Sequence, residues 1–462
     1  MKRYSWILTL IFVSILANAR DIKYVFYMIG DGMGVNQVFA TERYLGSLIA
    51  NPGNKSLNMT QFPHLGLSHT YSKSSGVTDS AAGGTALSCF EKTVNGVIGM
   101  DSAKVVPLKS IAEMARDKNM KVGIVTSVSI DHATPAAFYA HVPDRGMYYE
   151  IGKQLATSGF DFFGGAWFLN PKGKKGNETD LLSIVEDNGY TVLKGYNDYL
   201  KNGKKHSKII LTQPNTSGSL PYAIDRNESD LTLAQTTQAA VDFLYNRDKR
   251  RGFFLMVEGG KIDWACHGND GGTAINEVKD FDDAIAVVFD FYQKHPDETM
   301  IVVTADHETG GLALGNSDYS NHLERFKHQK CSQDKLSTII IEALNDSTKN
   351  FSFEDMKLIL KDNLGFFEDI IISESQYEQL AKAYVKTVAG KNADVKNEYA
   401  TVELLSAIAI GILNENSKMG WTTGAHSGGA VPIFSIGRGT EKLNGVMENN
   451  EIPARMAEIA GY

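Results

Sequence analysis

The 462 residues are 43% hydrophobic and 22% charged, the make-up of a globular chain. A formal charge of −8 excludes the basic footprint of a nucleic-acid binder. Three cysteines, Cys89, Cys266 and Cys331, are too few for a disulfide framework; one pair is allowed, but buried free thiols are the expected state.

The chain opens with MKRYSWILTLIFVSILANAR, which has the three parts of a secretory signal. Lys2 and Arg3 are the basic start, Trp6 to Ala17 the apolar run, and Ala17-Asn18-Ala19 the small-residue end. The run is too short to span a bilayer, and no cysteine follows it to carry a lipid. Cleavage after Ala19 leaves a single domain over 20–462 with a charge near −10, which is −8 less Lys2 and Arg3. The expected product is exported and has no membrane anchor. It is periplasmic in a diderm bacterium and extracellular otherwise.

YVFYMIGDGMGVNQV (24–38) predicts an apolar strand, a glycine-rich turn and a helix start. Such a turn can cradle phosphate with its backbone N–H groups. Yet Asp31 sits inside it, and the Gly30, Gly32, Gly34 spacing departs from the G-x-G-x-x-G dinucleotide pattern. A carboxylate belongs there if it first binds a cation, which inverts the local charge logic. Next, SSGVTDSAAGGTALSCFEK (74–92) predicts a helix opening through the small residues Ala81 to Ser88, with Ser80 at its N-terminus. There the helix dipole and a metal ion would both favour an alkoxide. Thr78 and Ser75 compete for the nucleophile's role.

Four more runs read as strands buried on both faces: KVGIVTSVS (121–129), GFFLMVEG (252–259), TMIVVTAD (299–306) and VPIFSIG (431–437). With helical stretches between them they predict an α/β fold, a mostly parallel central sheet with helices on both faces. Sites in such sheets lie outside the carboxyl ends of the strands. Asp31, Thr134, Glu258, Asp263, His267, Asp306, His307 and His426 are therefore expected to converge on one edge. Asp263 and His267, four apart, share a helix face. Carboxylates with imidazoles suit zinc, whereas the oxygen-only set Asp31, Thr134 and Glu258 suits magnesium. Any one of these histidines alone reads as a hydrogen-bonded core or surface residue; their joint placement points to metal. Cys266 reads as an inert thiol.

From about 320 to 418 the texture turns helical: QDKLSTIIIEALN, SFEDMKLILKDNL, SESQYEQLAKAYVKTVAG and NEYATVELLSAIAIGILNE. Ser352 with Asp355 and Ser373 with Gln376 resemble capping boxes, and Gly390 a C-cap. This stretch predicts a mostly helical insertion in the catalytic domain.

MIGDGMG, VTDSAAGGTALS, HATPAAFYAHVPDR, VEGGKIDWACH, TADH and GAHSGG, in this order, resemble the metal-dependent alkaline phosphatases over 22–318 and from 419 onward. The resemblance implies hydrolysis of phosphate monoesters by two in-line displacements, with Ser80 becoming a phosphoserine and Arg145 clamping the phosphoryl oxygens. It implies one zinc on Asp263, His267 and His426, a second on Asp31, Asp306 and His307, and a magnesium on Asp31, Thr134 and Glu258. It also implies a homodimer. His132 and Trp264 stand at two positions that vary within the family, in a combination found in certain bacterial members, and are assigned to the substrate's surroundings. A phosphodiesterase or sulfatase on the same sheet is the nearest rival, with Trp264 as an apolar wall for a second ester group. A catalytically dead metal- or phosphate-binding protein is the other, opposed by the joint presence of nucleophile, clamp and ligands.

Overall fold

Ten strands pair in one sheet: β1 (Tyr24–Ile29), β2 (His64–His69), β3 (Lys121–Ser129), β4 (Phe162–Ala166), β5 (Tyr190–Lys194), β6 (Lys208–Thr212), β7 (Phe253–Glu258), β8 (Thr299–Thr304), β9 (Val431–Gly437) and β10 (Gly445–Glu448). Their order is β10-β2-β9-β8-β1-β7-β3-β4-β6-β5. Every pairing is parallel except those of β9, which runs antiparallel to both β8 and β2. The computed structural model describes residues 22–49, 53–213, 218–316, 318–346, 348, 351–390 and 394–462. The signal expected at 1–19 lies outside the described residues.

Both faces of the sheet are covered, which is why the central strands are largely apolar. Along β1, Tyr24, Phe26 and Met28 enter one core cluster, while Val25, Tyr27 and Ile29 enter the other. This is the period-two alternation of a pleated strand. The helices that build the site are α1 (Val35–Ser47), α2 (Ser80–Cys89), α3 (Leu233–Arg247), α4 (Lys261–His267) and α5 (Gly271–Lys294). Helices α3 and α5 pack on the first face and α2 on the second.

The insertion carries α6 (Gln333–Asn345), α7 (Phe353–Leu364), α8 (Glu374–Val388) and α9 (Leu404–Ser417). Ser352 with Asp355 and Ser373 with Gln376 do form capping boxes, and Gly390 follows α8 at φ +61. Leu336, Met356, Leu360, Leu380 and Leu405 make a third core cluster, which Ala40 of α1 and Ile275 of α5 join. One helix starts later than its pattern. NEYATVE belongs instead to a hairpin pairing Asp394–Lys396 with Thr401–Glu403. The β-branched pair Thr401 and Val402 favours extended backbone. The Glu403 carboxylate then caps α9 by accepting from the N–H groups of Leu405 and Ser406.

All three cysteines are free and buried. Burial pushes the thiols of Cys89 and Cys331 up to about 12 and that of Cys266 well above its ordinary value. As thiols they are poor nucleophiles and poor ligands. Among the described residues no helix is long and apolar enough to cross a membrane.

Candidate active site

Neighbouring strands deliver the functional groups. Asp31 follows β1, His132 and Thr134 follow β3, Glu258 ends β7, and Asp306 and His307 follow β8. His426 precedes β9 and would sit at the opposite edge if β9 were parallel. Because β9 is antiparallel, its N-terminal end lies at the carboxyl edge of the others, and His426 arrives with them. The short strand His426–Ser427 pairs there with Glu308–Thr309.

Small residues let these segments close up. Gly32 has φ +71, and a Cβ on it would lie 2.8 Å from Thr309 Oγ1 and 2.9 Å from Asp263 Oδ1. Only glycine satisfies both the angle and the space. All ten residues of α2 are buried. A Cβ on Gly83 would come 3.0 Å from the Asp306 carbonyl oxygen, and one on Gly84 3.2 Å from Thr134 Cα. The run of small residues is thus what seats Ser80 against the strand ends. Asp79 caps α2, accepting from Ala82 N at 3.0 Å, from Gly96 N at 3.0 Å and from Arg145 Nη1 at 3.1 Å.

Ser80 is the first residue of α2, and its Oγ lies 3.2 Å from His307 Nε2. Its competitors are elsewhere: Ser75 is exposed, and Thr78 gives its hydroxyl to the Asp79 carbonyl. Around Ser80 the chelating groups gather in three sets whose ligand atoms lie within 4.8 Å of one another: Asp263, His267 and His426; Asp31, Asp263 and His307; and Asp31, His132 and Glu258. Asp306 adjoins the second set, with Oδ2 3.4 Å from His307 Nε2. Thr134 donates to that same oxygen at 3.3 Å. His132, expected beside the substrate, is brought next to Asp31 and Glu258.

The imidazoles are oriented by what their other nitrogens do. His267 Nδ1–H donates to the Gly424 carbonyl and His426 Nδ1–H to that of Thr78, each at 2.8 Å. Their Nε2 atoms are therefore aimed at each other, 3.1 Å apart, and lie 3.4 and 3.5 Å from Asp263 Oδ1. Burial opposes charge on His267, but its hydrogen bond to Asp263 and that carboxylate's field raise it to about 9. A proton or a cation must occupy this point.

Elsewhere in the site the carboxyls carry the imbalance. Asp31 Oδ1 and Oδ2, Glu258 Oε1 and Asp263 Oδ2 are buried without a hydrogen-bond partner. Burial, together with Asp306, Asp263 and Glu258, pushes the Asp31 carboxyl well above the usual range. Burial also raises Glu258 and Asp306. His132 is lowered to about 3 by burial and by Arg145, so it is neutral and has a lone pair to give. Crowded, dry carboxylate oxygens beside imidazole nitrogens are a donor set for divalent cations. The residues fit resident metal ions.

Three supporting groups escaped the sequence reading. Thr309 Oγ1 donates to Asp263 Oδ1 at 2.5 Å, and lies 3.2 Å from His307 Nδ1. Its proton being committed to Asp263, it accepts from His307 Nδ1–H, which leaves His307 Nε2 as a lone pair facing Ser80. Thr126 donates to Glu258 Oε2. Tyr399, from the insertion, stacks on Trp264 with centroids 4.5 Å apart and planes at 11°. A threonine two residues past a histidine carries no chemical signal. Tyr399 sat in a segment read as helix.

Residues 22–462 match the family model described as alkaline phosphatase. Alkaline phosphatase 3 of Bacillus subtilis is 32% identical over 464 residues, covering 96% of this chain and 90% of that protein. Alkaline phosphatase of Schizosaccharomyces pombe is 30% identical, covering 93% and 80%. Among solved structures, a cold-active alkaline phosphatase from a psychrophilic Shewanella superposes with TM-score 0.80 at 29% identity, over 95% of this chain and 99% of that one. A mutant of the alkaline phosphatase from the Antarctic bacterium TAB5, solved with magnesium bound, gives TM-score 0.66 at 28% identity, over 96% and 99%.

Proposed function

The chain belongs to the alkaline phosphatase family and is a phosphoric monoester hydrolase; from that premise we propose that it works through a phosphoserine on Ser80, at a centre of two zinc ions and one magnesium ion. In this reading Asp263, His267 and His426 hold one zinc and Asp31, Asp306 and His307 the second. Asp31, Thr134 and Glu258 hold the magnesium, with His132 beside them. Bound there, the metals would lower the serine pKa and stabilise the oxygens that gain charge as bonds form and break.

The chain's own groups do the rest. Ser80 Oγ attacks phosphorus while the ester oxygen leaves from the opposite side; water then displaces the serine and releases phosphate. Arg145 presents a planar fork to two phosphoryl oxygens, and Asp79 fixes that guanidinium at 3.1 Å. The observation that carries the reading is Ser80 Oγ, buried at a helix N-terminus, 3.2 Å from an imidazole lone pair among carboxylates that lack donors. The basic start, apolar run and A-x-A end of residues 1–19 support export. A homodimer is the assembly we expect.

The test is initial rates at alkaline pH, with zinc and magnesium supplied, on an aryl phosphate monoester and its matched diester. The expected result is a monoester rate many orders above the diester rate, lost in Ser80→Ala. Comparable rates would favour a diesterase, and an undiminished rate in Ser80→Ala would remove the serine from the mechanism.

A further inference from the structure

The insertion, whose hairpin spans 394–403, reaches the active site, and Tyr399 is the aromatic residue that it places there. The Tyr399 ring stacks on Trp264 at 4.5 Å, meets the His267 ring edge-on at 5.2 Å, and lies 5.9 Å from His132. His132 and Trp264 are themselves 5.9 Å apart, so the rings form one cluster. Lys261 also lies over Trp264, with Nζ 4.7 Å from its ring centroid.

What makes the cluster unusual is its polar atoms. Tyr399 Oη, Trp264 Nε1 and His132 Nδ1 are all buried, and none has a hydrogen-bond partner. Buried hydroxyl and N–H groups are nearly always paired, since an unpaired one costs about 1–3 kcal/mol. Three orphans on adjoining rings, beside the set Asp263, His267 and His426, mark a place where something outside the chain completes the bonding. A stack on Trp264 alone would not require a tyrosine; a phenylalanine ring would pack there as well. The hydroxyl is the part in need of a function.

We infer that Tyr399 is a substrate-contacting residue, its phenol O–H donating to a phosphoryl oxygen of the ester bound between Ser80 and Arg145. The inference rests on the phosphomonoesterase reading and adds a donor carried by the insertion rather than by the sheet. Neighbouring Glu398 brings Oε2 to 3.5 Å from His267 Nε2, so the hairpin lies over the same edge. A phenol suits this position because it donates without adding charge. The clamp keeps its single cation, Arg145, and product phosphate is released more readily than from a second one.

The test compares wild type, Tyr399→Phe and Tyr399→Ala, each loaded with zinc and magnesium, by calorimetric titration with inorganic phosphate, by metal content and by aryl phosphate turnover. Tyr399→Phe keeps the stack and loses only the donor. Its phosphate affinity should fall roughly tenfold, as for one hydrogen bond to a charged group, with metal content unchanged. Phosphate affinity equal to wild type in Tyr399→Phe would overturn the contact. So would a loss confined to Tyr399→Ala, which would leave the ring a packing role only, or a loss that tracks missing metal. Failure of the underlying reading looks different: wild type itself would show no monoester turnover.

Discussion

Thr309 is the smallest group with a large share in the site. Its hydroxyl takes the His307 Nδ1 proton as acceptor and gives its own proton to Asp263, so one side chain orients a ligand of each proposed zinc. Partners of metal ligands commonly matter by about 10–100-fold in affinity. Thr309→Val, isosteric but without the hydroxyl, should weaken zinc binding by that order in a chelator competition, and Thr309→Ser should restore most of it. Unchanged affinity in Thr309→Val would mean that packing alone holds His307. At this scale the sequence was legible where chemistry is concentrated. Asp306-His307 and Asp263-x-x-x-His267 announce themselves by residue type and spacing. Thr309 does not, because its role exists only once the turn at Gly32 has brought β1 and α4 against it.

At the scale of elements, α2 shows how a helix is built around its first residue. Asp79 does two jobs with one carboxylate: Oδ1 caps the helix at Ala82 N, and Oδ2 holds Arg145. Asp79→Ala should therefore lower stability by about 1 kcal/mol in denaturant unfolding, and also raise KM by freeing the guanidinium. A stability loss with unaltered KM would separate cap from clamp. The strands read directly from sequence were those buried on both faces, where an uninterrupted apolar run is a physical necessity. Others were missed for equally physical reasons. β2 is half-exposed, β5 is a partly exposed edge, and β4 is five residues long with two glycines. The direction of β9 left no trace either, since a run buried on both faces looks the same whichever way it runs.

For the whole molecule, metal and pH are coupled through the proton count. Without cations the folded chain keeps a proton at His267 up to about 9, against 6.5 for the ordinary side chain, because its bond to Asp263 outweighs burial. That stabilisation is complete below about 6.5 and is lost as pH rises through about 9. The raised carboxyls of Asp31, Glu258 and Asp306 act in the same direction, since they too hold protons that the unfolded chain has released. Lys261, lowered to about 8 by burial, and His132 and His307, neutral when folded, act the other way, the imidazoles only below about 6.5. The four groups above outweigh Lys261, so the metal-free protein should melt at a lower temperature at pH 9 than at pH 7. Loading with zinc and magnesium should remove most of that difference. A melting temperature of the metal-free form that rises with pH would contradict this balance.

The antiparallel insertion of β9 between β8 and β2 also fixes an order of events in time. The set Asp263, His267 and His426 needs a residue from the far end of the chain, delivered by a strand whose two neighbours come from the beginning and the middle. Loop closure over such distances adds little free energy per extra residue, but it must come after the loops exist. This set, unlike the other two, is incomplete until residue 426 has been made and β9 has docked. A cation bound there would join segments that are distant in sequence, as a late clasp rather than a nucleus, and its capture would report that β9 is already in place.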